Sequence, residues 1–282
     1  MENIESLIKN LPDSEAAKRF YSEFSEKHPG KLKQLKQDEG LFSDVLTIAG
    51  FSPLLATTTL QNPEYLSWLK RERKNSKIRE KDELLESLAR FALTNSQVEP
   101  HVLLARFRRR ELIRIYLKDI RRLGTIAEIT EELSNLADAI LEYALQIAHQ
   151  QMENRYGLPL EMDGKGRSIK AKFCVIALGK LGSSELNYSS DIDLLFLYSG
   201  DGSTSGQGSR GTTTNKQYFV KLSEYVSRLV GQQTGEGAAY RVDLRLRPHG
   251  RVGALAISLN EALSYYKKSA QMWERQVLIR SR

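Results

Sequence analysis

The spacing of apolar residues changes once along this 282-residue chain, and the change limits what it can fold into. Up to about residue 156 apolar residues recur three or four apart. Leu84, Leu85, Leu88 and Phe91 are one set; Leu103, Leu104, Phe107, Leu112, Ile115, Tyr116 and Ile120 are another. That spacing marks one face of a helix. After about residue 172 the apolar residues come in short runs rich in β-formers: KFCVIALG (172–179), DIDLLFLYS (191–199), YRVDLRLRP (240–248) and VGALAIS (252–258). The expected fold class is α+β, with a helical domain over 1–165 and a domain with a small mixed sheet over 166–282.

Local signals divide the helical part. Ser52-Pro53 and Asn62-Pro63 predict breaks, because proline restricts the residue before it and cannot continue a helix interior. Gly124 is placed to end a helix in the left-handed conformation. Thr125 with Glu128 reads as a capping box opening a long helix to about Glu153. Residues 157–172, GLPLEMDGKGRSIKAK, read as a linker or edge hairpin, and 200–213 as a flexible low-complexity stretch. An amphipathic helix is expected over 215–233. A second capping signature, Ser258 with Glu261, opens a last helix to about Arg280.

Composition removes several classes. The single cysteine, Cys174, rules out an intramolecular disulfide and is read as a buried, inert strand residue. No apolar run is long enough to span a membrane, and the N-terminus has no signal-peptide pattern, so a cytoplasmic protein is expected. The net charge of +7 is uneven. Segment 101–122 carries +6, segments 70–83 and 240–251 carry +3 each, and the remainder sums to −5.

Asp191 and Asp193 lie two apart on an expected strand, which puts both on one face. On the strand expected at 240–248, Arg241, Asp243, Arg245 and Arg247 share the polar face. Three carboxylates on neighbouring strands suit a two-metal site, because Mg²⁺ takes a few oxygen ligands from protein and others from phosphate. The Gly/Ser turn KLGSSELNYSS before Asp191 can bring backbone N–H groups to a phosphate, and the arginines offer fork donors. Asp243 could also act as a base, but phosphate needs little deprotonation and the ligand role is preferred. Each feature alone has an ordinary reading as a turn or a solvated edge strand; their order along the chain favours the site.

The stretch GKLGSSELNYSSDIDLLF (179–196) resembles the signature of the glutamine synthetase adenylyltransferase/adenylyl-removing enzyme family. YRVDLRLRPHGRVGALAIS (240–258) and WERQVLIRSR (273–282) resemble its next two motifs. GFSPLLATTTLQNPEYL (50–66) and RFRRRELIRIYLKDI (106–120) have the look of its helical part. The resemblance implies a DNA polymerase β-like nucleotidyltransferase fold. In that family an N-terminal half removes AMP from a glutamine synthetase tyrosine by phosphorolysis, giving ADP, and a C-terminal half attaches AMP from ATP. ELNYSSDID looks like the N-terminal version, so deadenylylation is the expected activity. The chain is expected to be a fragment lacking the second half.

Carried over, the resemblance makes Asp191, Asp193 and Asp243 ligands of two Mg²⁺ ions, with Mn²⁺ as a substitute. Gly179, Lys180, Gly182, Ser183 and Ser190 fall among the expected phosphate or nucleotide contacts. Strand alternation adds Arg245 and Arg247 as holders of the attacking phosphate. Asn187 and Ser190 are read as orienting Asp191. Ser183 stands where the family usually has a second glycine, which is acceptable if its backbone avoids positive φ. Tyr265, Tyr266 and Trp273 are read as core, with Glu274 and Arg275 in a family motif that could brace the site. Expected partners are glutamine synthetase, phosphate and ADP or ATP, and a PII-type nitrogen-regulatory signal protein. Some arginines of 106–122 are expected to face the cleft or an acidic protein surface, which makes nucleic acid the weaker partner. The competing readings are AMP transfer from ATP, an RNA-directed nucleotidyltransferase, and an inactive partner-binding fragment.

Overall fold

A computed structural model describes residues 4–282. It is mixed helix and sheet, compatible with α+β. The chain packs as two compact units. One comprises residues up to 78 together with 107–129; the other comprises 79–106 and 130–282. Packing therefore divides the chain differently from composition. Residues 79–106 and 130–156 are helical by pattern, yet they belong with the strands.

The first unit holds α1 (Ile4–Ile8), α2 (Ser14–Lys27), α3 (Pro29–Leu35), α4 (Glu39–Phe51), α5 (Pro53–Gln61) and α6 (Tyr65–Glu72). Side chains cap three of its helix starts. Asp13 accepts from the Ala16 N–H, Asp38 from Leu41, and Ser52 from Leu55 with Pro53 as first helical residue. Phe24, Val45, Leu46 and Ile48 form its core with under 2% exposure. The proline breaks at 52–53 and 62–63 are present.

Two long helices, α8 (Pro100–Ile120) and α9 (Ile126–Tyr156), contribute residues to both units. The turn between them carries the expected capping box: Thr125 N–H donates to Glu128 at 2.6 Å, and Glu128 N–H donates to the Thr125 hydroxyl at 3.3 Å. The left-handed residue that ends α8 is Arg122 (φ 53°), not Gly124. Leu123 N–H bonds the Lys118 carbonyl and Arg122 N–H bonds that of Asp119, a Schellman arrangement with Arg122 as the left-handed residue. Part of the +6 segment is internal here. Arg110, Arg114 and Lys118 are buried, and Arg121 pairs with the fully buried Asp44.

In the second unit, α7 (Lys81–Thr94) and most of α9 join two small sheets. The 157–172 segment forms a hairpin of β1 (Pro159–Met162) and β2 (Ser168–Lys170). β5 (Gly202–Thr204) pairs antiparallel with β1, so part of the stretch expected to be flexible is a strand. The second sheet centres on β4 (Ile192–Tyr198). β3 (Phe173–Leu178) covers one edge of β4 antiparallel, and the parallel strands β6 (Val242–Asp243) and β7 (Ala256–Ser258) share the other in succession. The expected strand 240–248 is thus two residues long. The β4 edge is divided between 242–243 and 256–258, and the chain between leaves the sheet in turns.

The Phe173 ring stacks on Phe196 of β4 and on Phe219 of α11 (Asn215–Gly231), with Tyr198 stacked on Phe219 as well. His149 of α9 meets Phe173 edge-on at 6.0 Å. Because β3 is an edge strand, Cys174 is exposed rather than buried. The expected last helix is two: α12 (Leu259–Lys268), capped by Ser258, and α13 (Met272–Val277), opened by a capping box of Gln271 and Glu274. Trp273 is exposed, not core. Among the described residues no helix is long and apolar enough to cross a membrane.

Candidate active site

β4 and β6 lie parallel with Asp193 directly opposite Asp243, and Asp191 sits two residues before Asp193 at the strand entrance. On the other side of Asp193 is Leu178, the last residue of β3. The chain then turns through α10 (Gly179–Gly182). Sheet pairing thus gathers carboxylates that are distant in sequence.

Each carboxylate has a different environment. Asp191 accepts from Arg241 Nε at 2.5 Å, while Arg241 Nη2 donates to the Ser189 carbonyl at 2.8 Å. Asp243 accepts from the Arg245 backbone N–H at 2.8 Å and from its guanidinium Nε and Nη2. That guanidinium, aided by the backbone N–H against partial burial, holds the Asp243 carboxyl below its ordinary value. Asp193 is in the opposite position. Burial first, then the charges of Asp243 and Asp191, push its carboxyl up, with Arg245 and Lys180 opposing weakly. Neighbouring acids driven apart in this way recur at reactive sites.

The turn is built by close approach. Gly179 has φ +57°, and a Cβ there would lie 2.9 Å from Asp193 Oδ2. A Cβ on Gly182 would collide with the Arg280 carbonyl oxygen and lie 2.8 Å from that of Ala177. Ser183 takes φ −83°, so a side chain is acceptable there, and its hydroxyl donates to the Gly179 carbonyl at 3.3 Å. The left-handed non-glycine residue of the turn is Ser184. Gly179→Ala is therefore expected to lower stability by about 1–3 kcal/mol through its positive φ and to displace the Asp193 carboxylate. A urea midpoint equal to that of the parent would refute the strain.

The other expected contacts divide. Lys180 is exposed on the turn. The Ser190 hydroxyl donates to Asn187 Oδ1 at 2.7 Å, so this pair braces itself and Arg241 orients Asp191. Arg247 is buried, and its guanidinium donates to the carbonyls of Leu244, Arg251 and Gly253. It closes the turns after β6 and does not share a polar strand face with Asp243, because the strand has ended. Glu274 caps its own helix and accepts from the Tyr265 hydroxyl at 2.5 Å rather than bracing the carboxylates. Tyr265 and Tyr266 are half-buried.

Three supports were not legible. Ser134 of α9 accepts from the Leu186 N–H at 3.1 Å. Arg282 donates to Asp138 at 2.5 Å and to the Leu181 carbonyl at 3.1 Å, tying the turn to α9. These contacts span 52 to 144 residues and leave no local pattern.

Among the described residues no three Asp, Glu, His or Cys side chains converge as a ready metal cage. Asp191 and Asp243 are turned onto arginines. The donor set still fits a hard divalent cation: three carboxylates, one of them a half-buried acid destabilised by the other two.

The family model for glutamate-ammonia ligase adenylyltransferase matches residues 42–282. A bifunctional glutamine synthetase adenylyltransferase/adenylyl-removing enzyme of Nitrosococcus oceani is 37% identical over 83% of this chain and 24% of its own length. Enzymes with the same name from Shewanella woodyi and Hahella chejuensis are 30% and 33% identical over 100% and 95% of the chain. They are covered over 29% and 27% of their lengths, so the chain spans about a quarter of these relatives. With most of the chain inside the family model, from the helices through all three carboxylates to Arg282, the chain belongs to the glutamate-ammonia ligase adenylyltransferase family.

Proposed function

We propose that this chain is a metal-dependent nucleotidyltransferase of nitrogen regulation that removes AMP from an adenylylated tyrosine of glutamine synthetase by phosphorolysis. The observation that carries the reading is Asp193 set against Asp243 across β4 and β6, with Asp191 at the strand entrance and arginines on both outer carboxylates. The nucleotidyltransferase fold, the cytoplasmic location and a PII-type regulator belong to the same proposal. The relatives' shared name, with its adenylyl-removing half, supports glutamine synthetase as substrate.

Asp191, Asp193 and Asp243 would hold two Mg²⁺ ions, which when bound supply charge neutralisation at an in-line phosphoryl displacement. A phosphate oxygen forms the new bond to the α-phosphorus, and the bond to the tyrosine oxygen breaks. The proton carried by the phosphate balances the departing phenolate, so the products are ADP and tyrosine. Arg241 and Arg245, held beside Asp191 and Asp243, would be the fork donors available to phosphate oxygens at the site. Gly179 and Gly182 let the turn lie against Asp193 and the chain beside it.

The test is ADP release when the chain is incubated with adenylylated glutamine synthetase, phosphate and Mg²⁺. Release that needs all three components is the expected result. Pyrophosphate release from ATP with unmodified glutamine synthetase, and no ADP from the adenylylated form, would reverse the direction.

A further inference from the structure

A second cluster of charge, away from the three carboxylates in the sequence, lines a groove of about 390 Å³ in the strand-containing unit. Arg155 comes from the last turn of α9, Arg210 from the loop after β5, and Lys221 and Arg228 from α11. All four side chains are exposed. Among the described residues none of them is within ion-pair distance of a carboxylate. Elsewhere on the surface Lys18, Lys27 and Arg90 each pair with a glutamate three or four residues away. Glu224 also lines the groove and stands at helical spacing from both Lys221 and Arg228, yet pairs with neither. Their contacts are aromatic instead. Lys221 donates to the Tyr156 hydroxyl at 2.8 Å and lies 4.7 Å from its ring centre, and Arg228 lies 4.8 Å over Tyr225.

The cluster is also held in place. The loop that looks flexible in sequence is pinned along the end of α9: Ser209 N–H donates to the Asn154 carbonyl, Arg210 N–H to that of Arg155 and Gly206 N–H to that of Tyr156, at 3.1, 2.7 and 3.1 Å. A Cβ on Gly208 would collide with the Arg155 carbonyl carbon, so only glycine permits this approach. Arg210 is thereby fixed beside Arg155. The joint positive field draws the Tyr156 phenol below its ordinary value, chiefly through the Lys221 hydrogen bond, with Arg210 and Arg155 adding to it.

We propose that this groove is a binding site for an oligophosphate, the di- or triphosphate of a nucleotide or the same group free. Its volume suits a small ligand rather than a macromolecular surface. Guanidinium forks match phosphate oxygens, and three arginines with a lysine can meet the charge of two or three phosphoryl groups. The tyrosine faces already carry cations, so the phosphates rather than a stacked base are what the groove recognises. The site is independent of the proposed AMP chemistry.

Calorimetric titration of the whole chain with inorganic tripolyphosphate, in EDTA and at moderate salt, tests it. One saturable site is expected. Arg155→Ala and Arg228→Ala should each weaken it about tenfold, as loss of a charge-assisted contact does, with unchanged melting temperatures because both side chains are exposed. Asp193→Asn should leave it unchanged. Displacement of tripolyphosphate by ADP would identify a nucleotide site, and failure of ADP to compete would identify free oligophosphate. Absence of saturable binding overturns the proposal. So does binding that persists in both variants, or that is lost in Arg245→Ala instead.

Discussion

Replacing Asp193 with asparagine is expected to lower ADP release from adenylylated glutamine synthetase by roughly a thousandfold or more, and to leave the fold at least as stable as before. The first effect follows from the proposed chemistry. Charge neutralisation at a transferring phosphoryl group contributes several kcal/mol, and about 1.4 kcal/mol is tenfold in rate. The amide side chain would keep the shape and one oxygen but remove the anion. The second effect follows from the site's electrostatics. Burial and the charges of Asp243 and Asp191 raise the Asp193 carboxyl in the folded chain. A raised carboxyl costs the folded state more to ionise than the unfolded state. The penalty is absent below the ordinary carboxylate range, grows as pH rises toward the raised value, and is complete above it. In metal-free buffer the Asp193→Asn chain should therefore melt higher than the parent at neutral pH, and the two should converge in acid. A lower neutral melting point would mean that Asp193 has a structural partner, and full activity would remove it from the catalytic centre. The same substitution cannot act through misfolding if it stabilises, which separates the two readings of a lost activity.

How far the sequence reaches can be judged residue by residue. Thr125 with Glu128, and the prolines at 53 and 63, mark real helix boundaries because caps and proline sterics act within a few residues. Asp193 and Asp243 were legible as a pair because alternation and strand order both point to them. Where sequence reading fails, the deciding neighbour is distant. YRVDLRLRP alternates up to its proline, but only Val242 and Asp243 find an open edge of β4, so Arg247 turns inward to carbonyls. Cys174 sits in an apolar run whose strand happens to be at a sheet edge. Gln271 and Glu274 did carry a local signal, a capping pattern inside what read as one helix. Nothing local announces that Arg241 would claim Asp191, since the same strand face offered three arginines equally.

Replacing Glu111 with glutamine is expected to destabilise the first unit by about 3–5 kcal/mol, the usual consequence of removing one member of a buried charge network. Glu111 is 0% exposed, with Arg110 Nη2 at 3.1 Å and Arg114 Nε at 3.2 Å. Arg114 is itself 2% exposed. The Arg110 guanidinium lies 4.7 Å from the Trp68 ring centre and 5.0 Å from that of Phe107, so it cannot leave for water without opening aromatic packing. Glutamine fills the same volume but leaves two guanidiniums facing a neutral amide in a region of low dielectric. A loss of that size is a large share of the roughly 5–15 kcal/mol that holds a typical domain together. The readout is the urea midpoint, with an unchanged slope showing that the folded state has not loosened. Adding Arg114→Met should recover part of the loss, because it removes the charge that Glu111 had neutralised; two effects that simply add would break the coupling. A loss under about 1 kcal/mol would place the pair among solvated surface bridges and return these arginines to the role the sequence suggested, facing the cleft or an acidic protein surface. A loss at the expected size fixes the opposite assignment for Arg110 and Arg114: their charge serves the fold of the first unit rather than a partner.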